Sequence, residues 1–393
     1  MFDLLLAVSQ TALALVPESR FTGAPDLDVL PTAVADELAA GTDDIEALTI
    51  VAELLGDSEL KAILARRHPP GEAIQALLDL MRTAEVYDAF EIVEPWDEHR
   101  SYGIAVRLVN GEEFSALVEV DVFGSLTLAD GFAGPVPASV VRRQIGSSPD
   151  LRISGAGHSE IHRALEDAIE SAHRSLPPVM TDSWPSHSLL VEWVVRLLPE
   201  PAAPSDWEPM SDEAQKVFID AFLASDDRSS LVLDDEDIES MLSSLLWFKD
   251  GYTNGDVHRW GPNQIGYLLG DWALRKLMIP DDELKAIPSI LRALIPWCHR
   301  QTDGFEQRHT EEVVAAIDHF EIDFLAGLRP DRRKGVDALM DFAAPYLGLD
   351  DAAAGFTGDL DVDYARLEAK WRAAAVGGED VLASLSVESL PAD

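Results

Sequence analysis

Cysteine is nearly absent: Cys298 is the single one in 393 residues. No disulfide can close within the chain, and no metal site built on two or more thiolates can form. That usage suits a reducing cytoplasm. Positive charge is also scarce. Lys and Arg together number 30 against 71 Asp and Glu, so the formal net charge is −41. The deficit is spread evenly, with 33 acidic and 13 basic residues in 1–200 and 38 and 17 beyond. Basic residues cluster only as islands, at Arg66-Arg67, Arg142-Arg143 and Arg332-Arg333-Lys334. A broad basic face for nucleic acid or anionic lipid is excluded as the chain's main business. Long apolar runs are missing too. Nothing approaches the length of a membrane span. The run Leu4–Val16 has no Lys or Arg before it, carries Asp3 at its start, and is interrupted by Ser9, Gln10 and Thr11. It reads as the first helix of the fold rather than a secretory signal.

Reactive signatures are lacking as well. There is no G-x-S-x-G, no Walker A loop and no strand followed by G-x-G-x-x-G. A cysteine enzyme would have to use Cys298, which sits in the apolar segment 295–298 and reads as half buried within a helix. No cofactor is expected.

What is present is a foldable chain. Hydrophobic residues make up 47% and mean hydropathy is zero, enough to build a core in two to three domains. Punctuation by Gly, Pro and Asp predicts helices at 2–15, 31–40, 43–55, 58–67 and 71–83. Asp43 is a natural cap for the third. From about residue 88 to 132 the period drops to two, which is strand behaviour. Tyr102, Ile104, Val106 and Leu108 share one face of a strand; Phe114, Ala116, Val118, Val120 and Val122 share one face of the next. A two-residue turn at Asn110-Gly111 would set apolar faces against polar ones. A three-residue loop, Val109-Asn110-Gly111 with Gly111 left-handed, pairs Val106 with Phe114 and Ile104 with Ala116. It also places Arg107 opposite Glu113, so this register is predicted. A further strand follows through Leu126 and Leu128, then a short helix at 136–146, a short extended piece at 150–154 and a helix over 159–174 capped by Ser159.

Trp184–Leu198 is apolar on most sides and reads as a buried central helix. The Pro-rich stretch 200–210 reads as a linker. Beyond it the pattern is helical, at 211–224, 235–248, 262–278, 288–302, 310–327, 331–347 and 362–374, with a weakly patterned tail over 377–393. The expected class is therefore α+β: residues 1–199 an α+β domain with an antiparallel meander, and residues 211–376 an all-α domain.

Two clusters are candidate sites. His158, His162 and Glu166 have metal-compatible types and near-helical spacing. Set against this, a cap at Ser159 would place His158 outside the helix, and the same residues suit a solvated face. The loop Gly251–Pro262 brings together Asp256, His258, Arg259 and Trp260, the mix of acid, imidazole, guanidinium and aromatic that ligand or partner contacts use. Its bland counterpart has Trp260 stapling a helix start and Asp256 pairing locally with Arg259.

Several stretches resemble an uncharacterised family of actinobacterial hypothetical proteins with no known activity. They are Ala84–Tyr87, the strand end Val120-Asp121, Met180–Pro185, Leu190–Pro199, Arg259-Trp260, and Asp271-Trp272 through Arg275-Lys276. Where similar sequences place His-Asn after the matching aspartate, this chain has Val122-Phe123. The resemblance implies a cytoplasmic actinobacterial protein in two parts and brings no reaction with it. Taken together, the sequence points to an acidic, non-catalytic protein that acts by contact with another protein, with charge favouring a basic one. The alternative is a metal-assisted hydrolase or small-ligand binder built on either cluster.

Overall fold

The computed structural model describes residues 1–16, 30–40, 45–123, 125–174, 179, 181, 183–204, 208–277, 279 and 281–328. Met1–Glu321 form one compact unit and Ile322–Asp393 a second. Of the second, only 322–328 are described, as the end of one helix. The cap expected at Asp43, the helices expected at 331–347 and 362–374, and the tail 377–393 lie outside the described residues.

Among the described residues, five α-helices open the chain: α1 (Phe2–Ala12), α2 (Leu30–Ala40), α3 (Ile45–Leu55), α4 (Ser58–Arg67) and α5 (Glu72–Arg82). Asp57 caps α4, accepting from the N–H groups of Glu59 and Leu60 at 2.8 and 3.0 Å. Four strands follow: β1 (Glu85–Val93), β2 (His99–Arg107), β3 (Glu113–Phe123) and β4 (Ser125–Gly134). After α6 (Ala138–Ile145), the two-residue β5 (Arg152–Ile153) pairs with β1. The sheet is antiparallel in the order β4-β3-β2-β1-β5. Its β2–β3 register sets Val106 against Phe114, Ile104 against Ala116 and Arg107 against Glu113, the three-residue-loop register. Gly111 takes φ +87°, and Arg107 Nε donates to Glu113 Oε1 at 2.8 Å.

Alternation gives the sheet two unlike faces. The first carries Tyr102, Ile104, Val106, Phe114, Ala116, Val118 and Val120, all buried. It packs with α1, α3, α7 (His158–Arg174) and α8 (Trp184–Val195) in one large core. The second face carries a small core, in which Phe90, Ile92 and Ala105 meet Ala138, Val141 and Ile145 of α6. α7 opens at His158, two residues before the start that a Ser159 cap implies. Glu160 reaches back to accept from the Gly157 N–H at 2.7 Å, so Gly157, not Ser159, closes the helix start.

The remaining described elements are helical: α9 (Asp212–Leu223), α10 (Asp235–Tyr252), α11 (Pro262–Tyr267), a π turn at Leu268–Trp272, α12 (Ala273–Lys276), α13 (Asp281–Leu284), α14 (Ile287–His299) and α15 (Gln307–Gly327). Ser211 and Asp234 cap α9 and α10. α10 runs four residues past its expected end, because Lys249 is buried rather than solvated and Tyr252 packs on Trp272 at 5.5 Å between ring centroids. The expected helix over 262–278 is interrupted by the π turn. The architecture is α+β, and no helix among the described residues is long and apolar enough to cross a membrane.

Candidate functional site

The loop singled out from sequence, Gly251–Pro262, is a latch. Arg259 pairs with Asp256 (Nε to Oδ2, 3.1 Å), and its Nη1 donates to the Pro95 carbonyl at 2.7 Å in the turn between β1 and β2. Asn254 donates to the Asp97 carbonyl of the same turn at 3.2 Å. Trp260 is buried, stacks on Phe248, and donates to the Val257 carbonyl at 3.0 Å. His258 packs against Phe218 and Trp297; burial lowers its pKa, and its buried Nδ1 has no hydrogen-bond partner among the described residues. These four side chains are thus brought close together, but mainly in contact with their own fold.

The other sequence-derived set is not brought together as ligands. His162 Nδ1 lies 2.5 Å from the Pro199 carbonyl, and Glu166 pairs with Arg163 at 2.8 Å. His158 occupies the first residue of α7. Among the described residues, no group of three or more His, Cys, Asp or Glu has the geometry to hold a metal. Cys298 is fully buried, and burial raises its pKa well above the usual thiol range, the wrong direction for a nucleophile.

Behind the latch lies a buried polar seam that the sequence does not announce. Lys249 is fully buried, and its ammonium donates to the Arg259 carbonyl (2.6 Å), Gln264 Oε1 (2.7 Å) and Asn254 Oδ1 (3.3 Å). All three protons are used. Burial lowers its pKa to about 7. Glu98 is 2% exposed and accepts from the N–H groups of Gln264 (2.6 Å) and Asn263 (3.2 Å). Burial pushes its pKa up to about 7, against the pull of those two donors. The seam is well satisfied and enclosed, which marks it as structural.

A groove opens on the second face of the sheet. Eight-residue α6 is about 12 Å long, and it covers the β1–β2 side of this face. Among the described residues no helix lies over the β3–β4 side, although Leu117 touches the α6 core, and a groove of about 770 Å³ is left there. Its floor is Leu117, Phe132, Ser101 and Glu119; one wall is Val141, Gln144 and Ile145 of α6, continued by Ser147, Ser148 and Leu151. Gly134 and Val136 close one end, where Ser115 Oγ donates to the Val136 carbonyl at 2.7 Å. Phe132, Val136 and Leu151 are 44, 37 and 38% exposed. Neighbouring Val140 and Ile153 are exposed as well. Three of the exposed large apolar side chains, Phe132, Val136 and Leu151, thus line this one groove.

The other end of the groove is polar and acidic. Glu94 and His99 line it, and His99 Nδ1 lies 2.5 Å from Asp121 Oδ1 across the β2–β3 pair. That contact raises the His99 pKa, aided by the nearby charges of Glu94 and Glu119, while desolvation opposes it. The far ring nitrogen, Nε2, lies 3.1 Å from Asn263 Nδ2. Sequence alternation shows which residues share this face, but not that α6 leaves half of it uncovered.

No family model matches the chain, and no curated protein or solved structure matches it.

Proposed function

We propose that this is a non-catalytic cytoplasmic protein that acts by holding another protein against the second face of its sheet. The carrying observation is the groove over β3 and β4, where partly exposed Val136 and Leu151 border a floor that includes partly exposed Phe132 and that no helix of the described fold spans. Contiguous exposed apolar surface with a polar rim is the usual signature of a contact site. The formal charge of −41 favours a basic partner and speeds encounter with one. Single-cysteine usage agrees with a reducing compartment.

A small organic ligand in the same groove is the second reading, because its volume falls within the range of such sites. The exposure of the lining weighs against it, since small-molecule sites enclose most of the ligand's surface.

The test is affinity capture from extract with the wild-type protein and with Phe132→Ser. A partner retained by the first, released by added salt and lost with the second supports the reading. Equal retention by both removes the groove from the function. Thermal stabilisation by small molecules, with no groove-dependent protein partner, would favour the second reading.

A further inference from the structure

We infer that the groove takes an amphipathic helix carrying basic residues at one end, laid beside α6 as a second helix on this face of the sheet. The inference rests on the groove being a protein contact and names the kind of segment that fills it.

The first argument is one of space. Four strands span about 14 Å between the outer two, and a helix with its side chains is about 10 Å across. α6 sits over the β1–β2 side, meeting Phe90, Ile92 and Ala105. The midlines of the β1–β2 and β3–β4 pairs are thus about 10 Å apart, the usual spacing between packed helix axes, so one more helix fits beside α6. The opposite face is already covered by helices, and sheets of this kind bury each apolar face under such a layer.

The second argument concerns backbone hydrogen bonds. An extended peptide lying flat on Leu117 and Phe132 would bring its N–H and C=O groups onto apolar side chains, which is costly without partners. A helix satisfies its own backbone and offers only side chains to the floor. Joining the sheet as a further strand on β4 is obstructed over residues 130–133. There the Ala133 N–H already donates to His187 Nδ1 at 3.1 Å, and Asp130 Oδ1 accepts from the Trp184 N–H at 3.1 Å.

Charge fixes the orientation. One end is closed by the Gly134–Val136 crossing. At the other stand Glu94, Glu119 and Asp121, with His99 the one basic side chain in the lining among the described residues. Lys or Arg at that end of the helix would meet the acids, while the apolar stripe lies along Leu117, Phe132 and Ile145.

The experiment uses the full chain and four labelled model peptides, read by fluorescence anisotropy. The first is a Leu/Ala/Lys peptide with its apolar stripe at helical spacing. The others are a Glu-for-Lys twin, a scrambled twin, and a Lys/Val peptide alternating with period two. The first is expected to bind at least about tenfold more tightly than the other three. Phe132→Ser and Glu119→Lys should each weaken it about tenfold, with thermal unfolding unchanged. If the alternating peptide binds through Phe132 and the helical one does not, the helix is the wrong occupant, although the groove remains a protein contact. If helical binding is indifferent to Phe132→Ser, the groove reading fails together with the inference. If no peptide binds at millimolar concentration, the inference is overturned, and the capture experiment with Phe132→Ser decides the groove separately.

Discussion

Glu98 is pressed onto Gly261 so closely that a Cβ at position 261 would fall 2.3 Å from the carboxyl carbon. The glutamate is the residue before β2 and the glycine precedes α11, so the contact locks the sheet to the helical half of the same compact unit. Glu98 cannot swing away, because both carboxylate oxygens accept from the backbone of 263–264. Gly261→Ala should therefore cost about 2–3 kcal/mol of stability. Urea unfolding of the two proteins measures it, and an unchanged midpoint would contradict the packing described.

The paired burial of Glu98 and Lys249 predicts a pH dependence. Glu98 has its folded pKa raised from 4.5 to about 7, so the folded state holds a proton that the unfolded state releases. Its contribution to stability is full below pH 4.5 and is lost as pH rises through 7. Lys249 has its folded pKa lowered from 10.5 to about 7, so its contribution rises from pH 7 towards 10.5. Relative to Glu98→Gln, the wild type should lose stability between pH 5 and 7.5. Relative to Lys249→Met, it should gain stability between pH 7.5 and 10. Chemical denaturation at these pH values checks both slopes.

Lys249→Met also orphans the Arg259 carbonyl and two side-chain amide oxygens that now accept from the ammonium. A net loss of about 3 kcal/mol is expected at pH 7. A variant as stable as wild type by calorimetry would show that the buried cation contributes nothing to the fold.

His99 should titrate above the ordinary histidine value of 6.5, since the Asp121 carboxylate favours its charged form. Asp121→Asn should bring the midpoint down. Following the His99 ring signals by NMR across pH 5–9 tests this, and a midpoint insensitive to the substitution would mean that the pair does not form.

Gly111 stands in open space, yet at φ +87°. Gly111→Val should cost about 1–2 kcal/mol through backbone strain alone. Loss of the Leu108–Glu112 amide protection in hydrogen exchange would accompany it, because the Leu108 N–H donates to the Glu112 carbonyl across that loop.

The hairpin register was legible because three independent signals agreed: alternation along 102–122, a left-handed Gly111, and the Arg107–Glu113 charge pair. Lys249 was not, because a lysine is ordinarily a solvated residue, and its acceptors come from positions 254, 259 and 264. The clue was positional: it falls seven residues after Leu242 on the buried stripe of α10. The groove was illegible for a different reason. Leu117 and Phe132 lie on the alternation that sequence exposes, but the bare floor depends on where the chain after Gly134 crosses and how short α6 is. The Asp256–Trp260 cluster was found as a dense polar-aromatic loop, and the structure spends it largely on the turn at 95–97.

Glu98 and His99 are consecutive in the chain, yet one is buried against 261–264 while the other lines the groove and nears Asn263 at 3.1 Å. A displacement at the acidic mouth therefore cannot stay local. Moving the His99 backbone drags the neighbouring carboxylate off its two amides, so the helical half acts as a fixed anvil for whatever the sheet receives.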